Sequence, residues 1–216
     1  MLDLYLGMTI GVNTTFGKWG DNNSAVSGLG GFGLTLMDSK LTVLALTHFG
    51  PENASATTRN ASRHYRYLSD ILVTYKPNDT WSFSTELNHI REEAVGANGY
   101  GIAQYVSYAL NDQIKLNARA EAWRDEKAFF VAAFPGNFDF VNAQLGRPAT
   151  VIGARATTYG ALTLGVTYKP GLSGPLAGLM LRPEVRYDQS LNGTKPFNGG
   201  RSGGAFTLGG DIVLSF

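Results

Sequence analysis

The sequence predicts an all-β protein: a transmembrane, up-and-down antiparallel β-barrel of about ten strands. Three observations carry this. Apolar and polar residues alternate with a period of two along stretch after stretch, which is the signature of a strand with one apolar and one polar side. The connections alternate between short turns and longer loops, as in transmembrane barrels with short turns on one side and long loops on the other. The last stretch, residues 204–216, is itself an amphipathic strand that stops on an aromatic, Phe216.

The first strand, residues 2–13, puts Leu2, Leu4, Leu6, Met8, Ile10 and Val12 on one face and Asp3, Tyr5 and Thr9 on the other. It is long enough to cross a membrane, which takes about 9–11 tilted residues. Residues 14–27 read as a loop. Residues 29–37 form a second strand with Phe32, Leu34 and Leu36 on one face, and Asp38, Ser39 and Lys40 make a tight turn. The third strand, 40–49, is apolar on both faces in places, so its register stays open. A polar loop, 50–64, leads to a fourth strand, 65–75, with Tyr67, Ile71, Val73 and Tyr75 opposite Asp70, Leu72 and Thr74.

Residues 76–79, Lys-Pro-Asn-Asp, are a turn by composition. The fifth strand sets Trp81, Phe83, Leu87 and His89 against Ser82, Ser84, Glu86 and Asn88. A short loop around 96–99 precedes a sixth strand, 100–110. There Gln104 and Tyr105 blur the pattern and leave the register open. After a turn at Asn111 and Asp112, the seventh strand alternates Ile114, Leu116, Ala118, Ala120 and Ala122 with Lys115, Asn117, Arg119, Glu121 and Trp123.

The longest irregular segment is 126–157. It contains an apolar run from Phe129 to Phe134, so it packs as a loop or folds back and constricts the interior. The eighth strand, 159–168, places Leu162, Leu164, Val166 and Tyr168 on one side. A Pro/Gly turn, 169–175, leads to a ninth strand with Leu179, Leu181, Val185 and Tyr187 opposite Arg182, Glu184, Arg186 and Asp188. A Gly/Asn loop, 190–203, precedes the closing strand. There Phe206, Leu208, Ile212, Leu214 and Phe216 oppose Thr207, Gly209, Asp211 and Ser215. The whole of 1–216 reads as one barrel domain.

Composition removes several classes. A net charge of +1 gives no electrostatic case for nucleic acid. The absence of cysteine excludes disulfides and thiolate metal sites. His48, His64 and His89 lie singly, so no metal site and no cofactor are expected. No run approaches the ~20 apolar residues of a membrane helix. The first residues show no signal-peptide pattern, so such a segment is expected to have been removed or to lie upstream. A soluble barrel or sandwich is the alternative fold. The charges within strands seven and nine count against it, as do strands longer than the usual 5–6 residues. Tyr75, Trp81, Tyr108 and Tyr168 sit near the short turns, as an interfacial aromatic girdle would.

Four segments carry a family likeness: residues 20–23 (Gly-Asp-Asn-Asn), 46–52 (Leu-Thr-His-Phe-Gly-Pro-Glu), 119–125 (Arg-Ala-Glu-Ala-Trp-Arg-Asp) and 181–188 (Leu-Arg-Pro-Glu-Val-Arg-Tyr-Asp). They resemble the putative β-barrel porin-2 family of Gram-negative outer membranes, and the last segment is the most specific. Members of that family are longer, with a signal peptide and several strands ahead of this point, so the chain corresponds to their C-terminal portion. The resemblance implies an outer-membrane location and a porin-like role.

With apolar faces toward lipid, the polar faces line the lumen. The pore-lining candidates are Asp70, Glu86, Lys115, Arg119, Glu121, Asp125, Arg182, Glu184, Arg186, Asp188 and Asp211. Strand eight offers only Ala161, Thr163, Gly165 and Thr167 between strands seven and nine, which lie ~10 Å apart across it. A ladder of opposite charges over these small residues is therefore expected. It serves either to satisfy buried charge or to set ion selectivity. The expected function is an outer-membrane channel for passive diffusion of small hydrophilic solutes or ions.

Two other readings stand beside it. One is a structural or export-complex barrel with a filled lumen, because ten strands leave little open space. The other is a membrane protease of the omptin type, which shares only strand number, with His89 as its nearest candidate base. Gly28, Gly30 and Gly33 match a dinucleotide fingerprint by letters, but no helix follows them, so no enzyme is expected. Expected partners are membrane lipid, the barrel assembly machinery through the strand ending in Phe216, and small hydrophilic solutes.

Overall fold

A computed structural model describes residues 1–12, 21–131 and 155–215. Its strands are β1 (Leu2–Thr9), β2 (Ser27–Leu36), β3 (Leu41–Pro51), β4 (Tyr65–Tyr75), β5 (Trp81–Glu92), β6 (Ala97–Ala109), β7 (Ile114–Asp125), β8 (Thr157–Tyr168), β9 (Gly178–Ser190) and β10 (Gly204–Ser215). Each pairs antiparallel with its neighbour in sequence, giving one ten-stranded up-and-down sheet. Two single-turn 3-10 helices, Ala61–Arg63 and Gly174–Leu176, are the only helical pieces among the described residues. β1 and β10 are the two edges and do not pair with each other. The C-terminal Phe216 lies outside the described residues.

Directly paired residues share a face, so the register carries the two faces around the sheet. One face is apolar from edge to edge: Leu4 pairs with Phe32, Ala45 with Ile71, Ile102 with Ala122, and Leu162 with Tyr187. The other collects the charges. Leu29, Leu46, Trp123 and Phe130 border one hollow on that second face, although they come from β2, β3, β7 and the segment after β7. The charged face is therefore the concave, inner one.

Aromatic side chains band the outer face at both ends. Tyr75, Trp81, Tyr108 and Tyr168 lie by the short turns, with the Trp81 and Tyr108 rings 4.7 Å apart. Phe49, Tyr67, Tyr100 and Tyr187 lie toward the other end. Tyr67 and Tyr75 are separated by about 26 Å of strand, or about 20 Å once the strand tilts by ~40°, close to the ~25 Å apolar band of an outer-membrane barrel. His89 belongs to this outer face, stacked on Tyr100 at 5.1 Å, so it faces away from the interior where a catalytic base would work.

The third and sixth strands now have a register. Leu44, Leu46 and His48 of β3 point inward with Leu72, Asp70 and Leu68. On β6, Tyr105 points inward and Gln104 outward. An amide on the lipid side is tolerable only if satisfied. Gln104 accepts from the Thr85 hydroxyl at 2.6 Å and donates to the Tyr105 carbonyl at 3.1 Å.

The strict long–short alternation of connections breaks at one place. β5 and β6 pair out to Glu92 and Ala97, leaving only residues 93–96 between them. The turn is closed locally: the Ala94 amide donates to the Glu92 carboxylate at 3.0 Å, the Gly96 amide donates to the Glu93 carbonyl at 3.2 Å, and Gly96 takes a positive φ of +60°. β1 is shorter than its alternation suggests. At Gly11 (φ +108°) the backbone leaves the strand, and the Gly11 and Val12 amides turn to the Thr9 hydroxyl and the Glu52 carboxylate. Most of the segment at 126–157 lies outside the described residues.

Candidate functional site

The inner wall is organised as rows that run across the strands. One row reads Asp70, Asn88, Gly101, Trp123, Tyr159 and Ser190; the next reads Leu72, Glu86, Ala103, Glu121, Ala161 and Asp188; the next reads Thr74, Ser84, Tyr105, Arg119, Thr163 and Arg186. Like charges thus face each other across β8, Glu121 with Asp188 and Arg119 with Arg186. Opposite charges meet on the diagonal across β8 and between alternate residues of one strand. Arg186 reaches over β8 to Glu121 and holds Asp188 at 2.7 Å. Arg119 pairs with Glu121 on its own strand. Thr163, beneath them, is small enough for the side chains to cross and stays within 3.5 Å of the Arg186 guanidinium.

This ladder continues into a belt over six strands. The Arg119 guanidinium lies 5.2 Å over the Tyr105 ring, a cation–π distance. The Tyr105 hydroxyl donates to Glu86 at 2.6 Å. Asn88 donates to Glu86 at 3.0 Å and to Asp70 at 2.7 Å. From Asp70 on β4 to Asp188 on β9, the belt sets two cations (Arg119, Arg186) against four carboxylates (Asp70, Glu86, Glu121, Asp188).

The remaining candidates sit elsewhere. Arg182 and Asp211 make a separate, half-exposed pair across β9 and β10, with Arg182 Nε 2.7 Å from Asp211 Oδ1. Glu184 lies on the inner face of β9 beside Gly209. Lys115 lies at the short-turn end of β7, bordering a hollow with Lys40, Lys76 and Asp79. Asp125 is fully buried and lines no open space. Its carboxylate accepts the backbone N–H groups of Phe129, Phe130 and Val131 at 3.0, 2.8 and 2.9 Å. It is a structural cap that turns the chain after β7 back over the inner wall.

The long-loop rim carries buried charge that alternation did not reveal. Arg66 and Glu92 pair with essentially no exposure, and Asn53 adds a bond to Glu92 at 2.8 Å. Glu52 receives the Val12 amide at 3.0 Å and the Ser27 hydroxyl at 3.1 Å, with His48 3.8 Å away. These residues stand at strand ends, where polarity reads as loop, so the sequence held no cue to their burial. Tyr105 was recognisable as inward only once the register of β6 was known, whereas Trp123 already stood on the polar face of the seventh strand by alternation. Beside the charged belt, Leu29, Leu44, Leu46, Leu68 and Leu72 make an apolar inner wall on β2 to β4. Phe130 packs toward it. Among the described residues no three His, Cys, Asp or Glu side chains converge as a metal site would require.

A family profile described as Putative beta-barrel porin-2, OmpL-like, matches residues 1–216. No curated protein and no solved structure was found to match.

Proposed function

Because the chain belongs to the putative beta-barrel porin-2, OmpL-like family of outer-membrane barrels, we propose that it is a channel for passive diffusion of small hydrophilic solutes or ions. The observation that carries this reading is the belt from Asp70 to Asp188. Nine polar and charged side chains on six strands, Thr163 of β8 among them, line a concave face, while the opposite face is apolar with aromatic bands. Buried charge of that density needs water or paired partners, and a water path alongside it supplies the former. Membrane lipid and, through the last strand, the barrel assembly machinery are the partners this reading implies. No catalytic role is assigned, since the belt holds its carboxylates in ion pairs and hydrogen bonds.

A second reading has its own support. The apolar inner wall on β2 to β4 and the inward turn of Phe129 and Phe130 suit a barrel whose lumen is filled. Single-channel recording separates the two. Protein refolded in detergent and added to a planar bilayer should give current steps of uniform size. Folded protein that never gives steps would establish the filled barrel instead.

A further inference from the structure

We infer that the inner wall holds a binding site for a neutral sugar, built on Trp123. A hollow of about 330 Å3 lies above the charged belt, on the long-loop side. That volume is at the lower end of small-molecule sites, about 300–1,000 Å3. Trp123, Tyr159 and Phe197 wall it, with the Tyr159 and Phe197 rings edge-to-face at 6.0 Å. Arg119, Arg186 and their carboxylates form its floor.

Trp123 is seated as a platform. A Cβ on Gly99 would fall 2.5 Å from its ring, and one on Gly101 would fall 2.7 Å from it. The indole therefore lies flat on the bare backbone of β6 and leaves its other face to the hollow. Three side chains that border this hollow each carry a buried polar atom with no hydrogen-bond partner among the described residues: Trp123 Nε1, Arg119 Nε and the Tyr159 hydroxyl. Tyr159 is 7% exposed, and the Thr157 side chain and the Asp125 carboxylate are the polar groups near its hydroxyl. Buried donors left unmade are costly, so three on the side chains around one hollow point to a ligand rich in acceptors, toward which these side chains turn.

The charge of the floor narrows the class. Arg119 and Arg186 are balanced by Glu121 and Asp188, already paired with them. A net anion would meet two carboxylates, and a cation would meet two guanidiniums. A pyranose meets the requirements instead. Its C–H face stacks on the indole, its ring and hydroxyl oxygens accept from Nε1 and Nε, and its hydroxyls donate to Glu121 and Asp188. The site itself stands on these contacts, and only the route by which the sugar arrives rests on the channel reading.

The test uses glucose, maltose and glucuronate with the refolded protein, by calorimetry in detergent and by block of current in planar bilayers. Maltose and glucose should bind saturably and reduce the current, with glucuronate weaker than glucose. Trp123→Ala should raise the half-saturating concentration about tenfold. Trp123→Phe, which keeps a stacking face and loses the donor, should fall between. If Trp123→Ala loses the heat-sensitive gel mobility of a folded barrel, Trp123→Phe and Arg119→Gln carry the comparison. Steps without saturable sugar binding, or tighter binding of glucuronate, would overturn the site and leave the channel standing. Sugar binding that depends on Trp123, without any steps, would keep the site and remove the channel.

Discussion

At the scale of single residues, the inner wall contains two kinds of ion pair with different consequences. Arg66 and Glu92 are sealed at the rim, with relative exposures of 1% and 0%. Removing one partner strands a buried charge. Arg66→Ala should lower stability to urea in detergent by about 3–5 kcal/mol. Replacing both, Arg66→Met with Glu92→Leu, should cost well under half of that, because neither charge is then left alone. Arg186 stands in the half-exposed belt and holds Glu121 and Asp188 together. Its loss takes one cation from a belt that already carries more carboxylates. Arg186→Ala should therefore shift the reversal potential in a KCl gradient toward cations, by roughly a twofold change in permeability ratio. An unchanged potential would mean that the belt only satisfies its own charge.

At the scale of elements, each strand carries two environments on alternate residues. Leu162 of β8 and Ser84 of β5 sample the two faces. Leu162 is 50% exposed on the apolar side, level with Gln104 and Ala120. Leu162→Arg should destabilise the folded barrel by about 2–4 kcal/mol, the cost of a cation facing lipid near mid-membrane. Ser84→Arg, beside Glu86 on the inner side, should change stability little in the same urea titration. The turn after β7 depends on Asp125, whose carboxylate gathers three backbone amides. Asp125→Ala should release Phe129 and Phe130 from the inner wall, read as a larger single-channel step than that of the unaltered protein.

At the scale of the whole molecule, the sheet has two edges in a fold that tolerates none. Outward residues on the edge strands are far more exposed than those within the sheet: Leu6 is at 93% and Leu208 at 72%, against 43% for both Leu87 and Leu116. Unpaired backbone groups cannot face hydrocarbon, and a barrel of this family removes its edges by pairing. In the membrane, the amides of β1 and β10 should therefore exchange with deuterium as slowly as those of β5. Fast exchange confined to these two strands would show that the edges stay open.

The sequence by itself determined the strands, their order and the outer face. Alternation survives any tertiary detail, because a one-residue slip would turn an entire apolar set away from lipid. It also indicated Arg119, Glu121, Arg186 and Asp188 as one cluster, since a strand of small residues lies between their two strands. Tertiary structure alone decided the rest. Gln104 could face outward only because Thr85 and the Tyr105 carbonyl satisfy it. Asp125 became a cap because the chain after β7 turns back onto it, and Trp123 became a platform because Gly99 and Gly101 lie opposite on β6. Period-two alternation says which way a side chain points. What it meets there is set by the neighbouring strands, whose register depends on pairings far apart in the chain.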